Sequence, residues 1–233
     1  TDVYIAGATR TGVGSFNGSL VSLPAHELGR VVIEDTVRKA NIDKLEVDEV
    51  IMGQVLAAGT GQNPARQASV NAGISKETPA WVVNQVCGSG LRSIALGYQS
   101  IRNGDANIIV AGGQESMSQS PHCMYLRNGT KMGDAQMIDT MIKDGLWDAF
   151  NGYHMGVTAE NVANKWQITR KDQDDFALLS QTKAERAQKN GKFKNEIIPV
   201  ILKFKNSETK CVSSLEYLDA PTLIKAIFPP LLE

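Results

Sequence analysis

Cys87 is the residue whose sequence surroundings most favour chemistry. It follows a strand-like run, residues 81–86, and precedes Gly88-Ser-Gly90, which leads into a predicted helix. This pattern predicts a strand that ends abruptly at the cysteine, with the sulfur at the turn. Backbone N–H groups at a helix N-terminus favour negative charge, so a cysteine there is biased towards its nucleophilic thiolate. Gly88 and Gly90 would permit a tight turn and leave room for a bulky thioester beside the sulfur.

The same cysteine has a plain structural alternative. An isolated cysteine is most often a small buried hydrophobe. The predicted strand-to-helix turn matches the logic of the nucleophile elbow of serine hydrolases, although their Gly-x-Ser-x-Gly pattern is absent. On physical grounds alone, both a covalent nucleophile and a structural residue stay open at Cys87.

Composition narrows the classes of protein. The 233 residues, 42% of them apolar, can bury one large core or one core with a substantial insertion. The 24 basic and 25 acidic side chains nearly cancel and form no long block of one sign, which argues against nucleic-acid or membrane-surface binding. Three irregularly spaced cysteines, Cys87, Cys123 and Cys211, fit neither a disulfide framework nor a Cys-x-x-Cys metal or redox site. A cytoplasmic location is the simplest prediction.

The elements that must position Cys87 alternate between strand-like and helix-like runs, which predicts an α/β fold of crossover units. The predicted strands are residues 3–6, 49–55, 81–86, 108–111 and 196–204. The predicted helices are residues 27–40, 64–72, 91–101, 157–166, and one that opens with a capping box at Thr169 and Asp172 and closes at Gly191. Residues 3–6, 27–40 and 49–55 would form the first βαβ unit. Residues 112–152, rich in Ser, Gly, Met and His, are too long for an ordinary connection and are expected to carry function.

Several segments resemble one known family. Around Cys87, Asn84-Gln-Val-Cys-Gly-Ser-Gly-Leu-Arg-Ser resembles the acylation-site motif of thiolases, and Ala111-Gly-Gly-Gln-Glu-Ser-Met-Ser resembles their following strand and turn. Three more segments resemble the biosynthetic acetoacetyl-CoA branch: Lys131-Met-Gly-Asp, Asp139-Thr-Met-Ile-Lys-Asp-Gly-Leu-Trp and Tyr153-His-Met-Gly-Val-Thr-Ala-Glu-Asn-Val-Ala. Because these motifs occur in order from about residue 3 to residue 200, the sequence is identified as a member of the thiolase family.

The resemblance implies a thiolase-like N-terminal α/β domain, a mixed sheet covered by helices, with a loop-domain insertion. Residues 1–117 would form that domain without its last strand, residues 118–205 the loop domain for CoA and tetramer contacts, and residues 206–233 a divergent tail. The C-terminal thiolase domain is expected to be absent. That domain carries the Gly-His-Pro histidine, the oxyanion-hole Asn and the Cys-x-Gly-Gly cysteine of the family.

The resemblance also implies a reaction, the Claisen-type interconversion of two acetyl-CoA with acetoacetyl-CoA and CoA. CoA thioesters are the substrates, with no metal or redox cofactor, and Cys87 would carry the acyl group. Met155 would be a soft apolar wall for the acyl end, and neutral His154 would hydrogen-bond an amide of pantetheine. Core packing for Met155 and a structural role for His154 are the alternatives.

Further residues have weaker assignments. Lys203 and Lys205 occupy the stretch where thiolases place basic residues near the phosphorylated adenosine of CoA, which makes Lys205 a candidate CoA contact. A solvated surface charge is the ordinary alternative for both lysines. His122 and Cys123 resemble part of the tetramer-forming loop of biosynthetic thiolases and are interpreted as structural. A homo-oligomer, either dimer or tetramer, is therefore expected.

A nucleophile without its base and oxyanion donors loses most of its rate, so condensation by this chain is expected to be impaired. One alternative is half of a split enzyme, completed by a separate C-terminal chain that docks on an exposed edge. Another is a non-catalytic module that binds CoA or a partner protein. A nicotinamide-dependent dehydrogenase is disfavoured, because no Gly-x-Gly-x-x-Gly opens a helix after a predicted strand. Decarboxylating condensing enzymes share the fold, but the segment that begins at Tyr153 favours the CoA-thiolase branch.

Overall fold

A three-stranded parallel sheet lies at the centre of the computed structural model, which describes residues 2–203 and 209–214. Its strands are β1 (Glu49–Gly53), β2 (Ala80–Val83) and β3 (Ile109–Gly113), in the order β2-β1-β3. Ile51 of the central strand lies opposite Trp81 of β2 and Ala111 of β3. The four residues of β1 after Glu49 are buried, as expected for a parallel strand covered on both faces.

Helices cover the sheet and connect its strands. They are α1 (Ala25–Ala40), α2 (Pro64–Asn71) and α3 (Ser89–Asn103). Helix α2 joins β1 to β2 and α3 joins β2 to β3, so both connections are βαβ crossovers. Side chains of α1 and α2 form one core with Val50 and Met52 of β1. Gly53 of β1 instead faces the start of α3. The alternation of strand side chains therefore assigns one face of β1 to α1 and α2 and the other to α3.

Helix α1 also packs on a second, smaller core. An antiparallel ribbon of β8 (Val200–Lys203) and β9 (Thr209–Val212) buries apolar side chains beside Leu28 of α1. Asp35 of α1 is buried and accepts hydrogen bonds from Thr9 and Arg38, with Lys39 3.0 Å away. Burial disfavours its charge, but these three donors outweigh that effect and hold the pKa of Asp35 below its usual value.

Residues 114–199 form short elements and two longer helices. The short ones are β4 (His122–Cys123), β5 (Ile138–Asp139), β6 (Trp147–Asp148), β7 (Tyr153–His154), a 3-10 helix (Met117–Gln119) and a π-helix (Met141–Leu146). The helices α4 (Met155–Trp166) and α5 (Arg170–Lys189) contain no buried residue. None of the helices in the described part of the chain is long and apolar enough to cross a membrane.

The predicted α/β class is confirmed, and all five predicted helices are present within a few residues of their expected bounds. The capping box of Thr169 and Asp172 is also confirmed, and Gly191 has the positive φ of a helix stop. The predicted strand at residues 3–6 is wrong: Tyr4 and Ile5 are 81% and 83% exposed. A strand needs a neighbour for its backbone N–H and C=O groups, and no described strand pairs with residues 3–6. The first predicted βαβ unit is therefore wrong as well.

Candidate active site

Cys87 lies in the loop between β2 and α3. This loop and the first residue of α3, residues 84–89, are together called the Cys87 loop below. The thiol is exposed, so the alternative of a buried hydrophobe does not hold. No group in the described part of the chain hydrogen-bonds its Sγ atom. Gly88, the N-cap of α3, offers no side-chain acceptor to the first helical turn. The exposed thiol thus lies two residues before a helix that has no side-chain cap, as the sequence predicted. The N–H groups of Gly88 and Ser89 donate to the carbonyls of Gln85 and Val86.

The left-handed residue in the tight turn at Cys87 is not a glycine. Gly88 has an ordinary φ of −84°, whereas Val86 has a φ of 49°, in the left-handed region. That conformation is an outlier for a β-branched residue and costs roughly 1–3 kcal/mol. Gly88 therefore does not supply a positive φ, but a Cβ there would lie 3.3 Å from the Gln85 carbonyl oxygen, so its missing side chain does favour a close turn. A Cβ on Gly90 would meet no atom within 4 Å, so space is present there without requiring glycine.

Side chains of the Cys87 loop hold the strained residue. Asn84 Oδ1 accepts the Val86 N–H at 2.9 Å. Ser89 Oγ accepts the Gln85 N–H at 2.8 Å and donates to the Val86 carbonyl at 2.6 Å. Asn84 and Ser89 belong to the thiolase-like motif, but the sequence pattern alone indicates no function for them. An Asx-turn pattern, Asn84 two residues before Val86, was the available local signal.

The start of α3 is pressed against the end of β1. A Cβ on Gly53 would lie 2.4 Å from the carbonyl carbon of Ser89 and 2.6 Å from the backbone nitrogen of Gly90. Ser93, fully buried, shares its hydroxyl proton between the carbonyls of Gly90 and Gly112, each 2.7 Å away. The absence of a side chain at Gly53 thus allows the helix that follows Cys87 to sit directly on the strand end.

Glu115 is a half-buried carboxylate at the same end of the sheet. It accepts the N–H groups of Val55 at 2.8 Å and Leu56 at 3.2 Å. Burial raises the pKa of Glu115, although these backbone donors oppose the shift. Glu115 also lines two adjoining cavities of about 200 and 440 Å³. Cys87 lines neither cavity and is exposed to solvent. No sequence pattern indicated Glu115, and no hydrogen bond among the described residues joins it to Cys87.

His154 and Met155 lie at the junction of β7 and α4. His154 Nδ1 accepts the Gly156 N–H at 3.0 Å and so caps α4, which is the structural alternative for this residue. In the neutral ring Nε2 then carries the proton and is a donor. Met155 is 38% exposed, so it is not a core residue. No hydrogen bond of the described residues joins either side chain to the Cys87 loop.

The remaining candidates that the structure describes lie on elements other than the Cys87 loop. Lys205 is outside the described residues, and Lys203 ends β8. His122 and Cys123 form β4, and His122 Nε2 lies 3.8 Å from Asp139 Oδ2. Cys211 is exposed on β9.

Comparison with known proteins gives a consistent result. The family model described as "Thiolase, N-terminal domain" matches residues 3–227. The chain is similar to the acetyl-CoA acetyltransferase of Paracoccus denitrificans, with 58% identity over 227 residues that cover 97% of this chain and 58% of that protein. The Rhizobium meliloti (strain 1021) acetyl-CoA acetyltransferase is 60% identical over 216 residues, 93% of this chain and 55% of its own length. The cytosolic acetyl-CoA acetyltransferase of Mus musculus is 52% identical over 208 residues, 89% of this chain and 52% of its own length. The chain spans little more than half the length of these relatives.

Proposed function

Because the chain belongs to the thiolase family, through the N-terminal domain of that family, we propose that it carries out thiolase-type acyl transfer from acetyl-CoA, with Cys87 as the acyl acceptor. Its membership confirms the resemblance found in the sequence. The observation that carries the proposal is the exposed thiol of Cys87 beside the N-terminus of α3, which has no side-chain cap. The names of the relatives support acetyl-CoA as the donor.

The proposed first step is a thioester exchange. The Cys87 thiolate attacks the carbonyl of acetyl-CoA, the bond from that carbonyl to the CoA sulfur breaks, and CoA leaves as a thiolate that takes up a proton. The partial positive charge at the start of α3 stabilises the attacking thiolate. Neither electron transfer nor a metal is needed, because one thioester replaces another.

The proposed second step is the Claisen condensation. A second acetyl-CoA loses an α-proton, its carbanion attacks the acetyl carbonyl, and the bond to Cys87 breaks to give acetoacetyl-CoA. This step needs a base at the α-carbon of the second acetyl-CoA, and the family resemblance places that base in the C-terminal thiolase domain and assigns it to none of the described residues. We therefore propose that condensation is impaired unless another protein element supplies the base.

The CoA site is proposed on residues 118–205, the candidate loop domain between the proposed domain of residues 1–117 and the tail of residues 206–233. His154 Nε2 is available to donate to an amide of pantetheine, and the exposed Met155 offers an apolar contact. Lys205 is the proposed contact for the phosphorylated adenosine. A cytoplasmic homo-oligomer completes the proposal.

The test is to incubate the 233-residue protein with acetyl-CoA and to follow it by intact mass and peptide mapping. We expect a mass gain of one acetyl group, located on Cys87. Cys211 is the internal control, because it is also exposed but lies on β9 instead of at a helix start. Equal acetylation of Cys87 and Cys211 would contradict the proposal. Binding of CoA without any adduct would favour the non-catalytic module.

A second candidate function, one half of a split enzyme, is favoured by the composition of α3. The helix buries small residues, Ser89, Ser93 and Gly97, against the sheet. Its large apolar residues, Leu91, Ile94 and Tyr98, face outwards, and Leu91 is 75% exposed. An apolar stripe of this kind typically contacts another protein surface. We propose that the catalytic groups that the resemblance places in a C-terminal domain reach Cys87 on an element that covers this stripe.

This docking is testable with the part of the Paracoccus denitrificans relative that lies beyond its match to the chain, supplied as a second polypeptide. We expect association and a gain in acetoacetyl-CoA thiolysis. Leu91→Glu should weaken association at least about tenfold, because it buries an unpaired charge. Gln99→Glu adds the same charge at another exposed position of α3 and is the control. Equal binding by the two variants, or association without any gain in thiolysis, would overturn the split-enzyme candidate.

A further inference from the structure

We propose that Asn84 and Ser89 are positioning residues for Cys87, which they orient by holding Val86 in its left-handed conformation. This inference rests on the proposed function in one respect, that Cys87 is the nucleophile. It assigns no new catalytic group. The two side chains act on the backbone of the Cys87 loop, and the backbone carries the thiol.

The starting observation is strain at Val86. A φ of 49° is unfavourable for a β-branched side chain, which would relax to a negative φ in a free loop. Such a conformation persists only where the surroundings over-determine it. Val86 is half exposed, so packing of its side chain does not hold it. Hydrogen bonds to the two adjoining peptide groups are the constraint that the structure provides.

Both peptide groups that adjoin Val86 are hydrogen-bonded to other groups of the Cys87 loop. The Val86 N–H donates to Asn84 Oδ1 at 2.9 Å, and the carbonyl of the same peptide group, that of Gln85, accepts the Gly88 N–H at 3.0 Å. The Val86 carbonyl accepts two hydrogen bonds from Ser89, from Oγ at 2.6 Å and from the backbone N–H at 3.1 Å. Fixing both peptide planes fixes φ and ψ of the residue between them.

The second of these planes also contains the backbone nitrogen of Cys87. Its orientation therefore sets the direction in which the Cα–Cβ bond of Cys87 leaves the loop. If Val86 relaxed to a negative φ, this plane would rotate and the sulfur would move relative to the N–H groups of α3. A displacement of about 1 Å at a reacting group can lower a rate about a hundredfold.

A substitution of Asn84 tests the positioning of Cys87 with less effect on folding than a substitution of Ser89. Ser89 is buried and its hydroxyl also accepts the Gln85 N–H, so its removal leaves a cavity and leaves that part-buried N–H unpaired. Asn84 is exposed, and water can replace its side chain at the Val86 N–H. The contacts that pack α3 on the sheet, at Gly53 and Ser93, do not involve Asn84. Asn84→Ala is expected to change the loop and leave the fold intact.

The experiment measures the rate of Cys87 alkylation by iodoacetamide as a function of pH, in the full chain with Cys123→Ser and Cys211→Ser. The high-pH plateau reports accessibility and orientation, and the midpoint of the profile reports the electrostatic surroundings. Asn84→Ala should lower the plateau about tenfold. Asn84→Asp keeps an acceptor for the Val86 N–H and should keep the plateau, although its charge shifts the midpoint. Gln85→Ala, whose side chain makes no hydrogen bond in the described structure, is the matched control and should match the parent.

The decisive experiment is a rescue of Asn84→Ala by a second substitution. Glycine adopts positive φ without steric cost, so Val86→Gly should restore the plateau of Asn84→Ala to within about threefold of the parent. An unchanged plateau in Asn84→Ala, or no recovery in the double variant, would overturn the positioning role. The acetylation test is independent, because alkylation needs no acetyl-CoA. Alkylation that depends on Asn84 without acetylation would refute the proposed function alone, and acetylation with alkylation indifferent to Asn84 would refute the positioning role alone.

Discussion

Cys87→Ser is expected to reduce the exchange of acetyl groups between acetyl-CoA and isotopically labelled CoA by at least about 10³-fold. This exchange needs only the proposed first step and its reversal, so it does not depend on a base for condensation. A serine hydroxyl ionises far less readily than a thiol, and nucleophilic serines need an adjacent base. No hydrogen-bonded base is found at Cys87 among the described residues, so the variant has no means of forming its nucleophile.

The other cysteines supply the control for this loss. Cys123→Ser and Cys211→Ser remove thiols of β4 and β9 and should retain the exchange rate of the parent. Far-ultraviolet circular dichroism should show that all three variants keep the helical content of the parent. If Cys87→Ser exchanged at the rate of the parent, the acyl group would not be carried by this residue, and the proposed function would be wrong.

Gly53→Ala is expected to destabilise the protein by about 3 kcal/mol. The added methyl would lie 2.4 Å from the Ser89 carbonyl carbon, and a backbone atom cannot rotate away as a side chain can. Helix α3 must then lift from β1, which strains the shared hydroxyl bonds of Ser93. Because Cys87 is two residues before the helix start, we also expect slower alkylation of its thiol. Urea unfolding measures the first effect, and iodoacetamide measures the second.

Gly90→Ala is the matched control for Gly53→Ala. Its methyl meets no atom within 4 Å, and alanine is the better helix former, so stability should be unchanged or raised by up to about 1 kcal/mol. The two variants make the same chemical change on the two sides of one contact. Equal stability of Gly53→Ala and Gly90→Ala would show that α3 is not seated on Gly53 as described.

Local patterns were sufficient to predict much of the fold and the principal candidate residue. The helix predicted at residues 27–40, the helix stop at Gly191 and the capping box of Thr169 with Asp172 all depend on residues within one or two turns of each other. The position of Cys87 between a strand and a helix has the same origin. Such features are encoded by short-range sterics and hydrogen bonds, so a single sequence reveals them.

Other features depended on residues distant in sequence. The Glu115 carboxylate binds the N–H groups of Val55 and Leu56, about 60 residues earlier in the chain. Gly53 and Ser89 meet only because the crossover helix brings β1 against α3. Residues 3–6 have strand-like composition, but strand formation requires a partner that composition does not specify.

By itself, the sequence determined the family, the α/β class and the presence of Cys87 at a strand-to-helix turn. Only the tertiary structure decided that Val86, instead of a glycine, makes that turn and that Asn84 and Ser89 hold it. The physical reason is that valine disfavours a positive φ, so no local preference predicts it there. That conformation is stable only when the peptide groups of a folded loop are hydrogen-bonded on both sides of it.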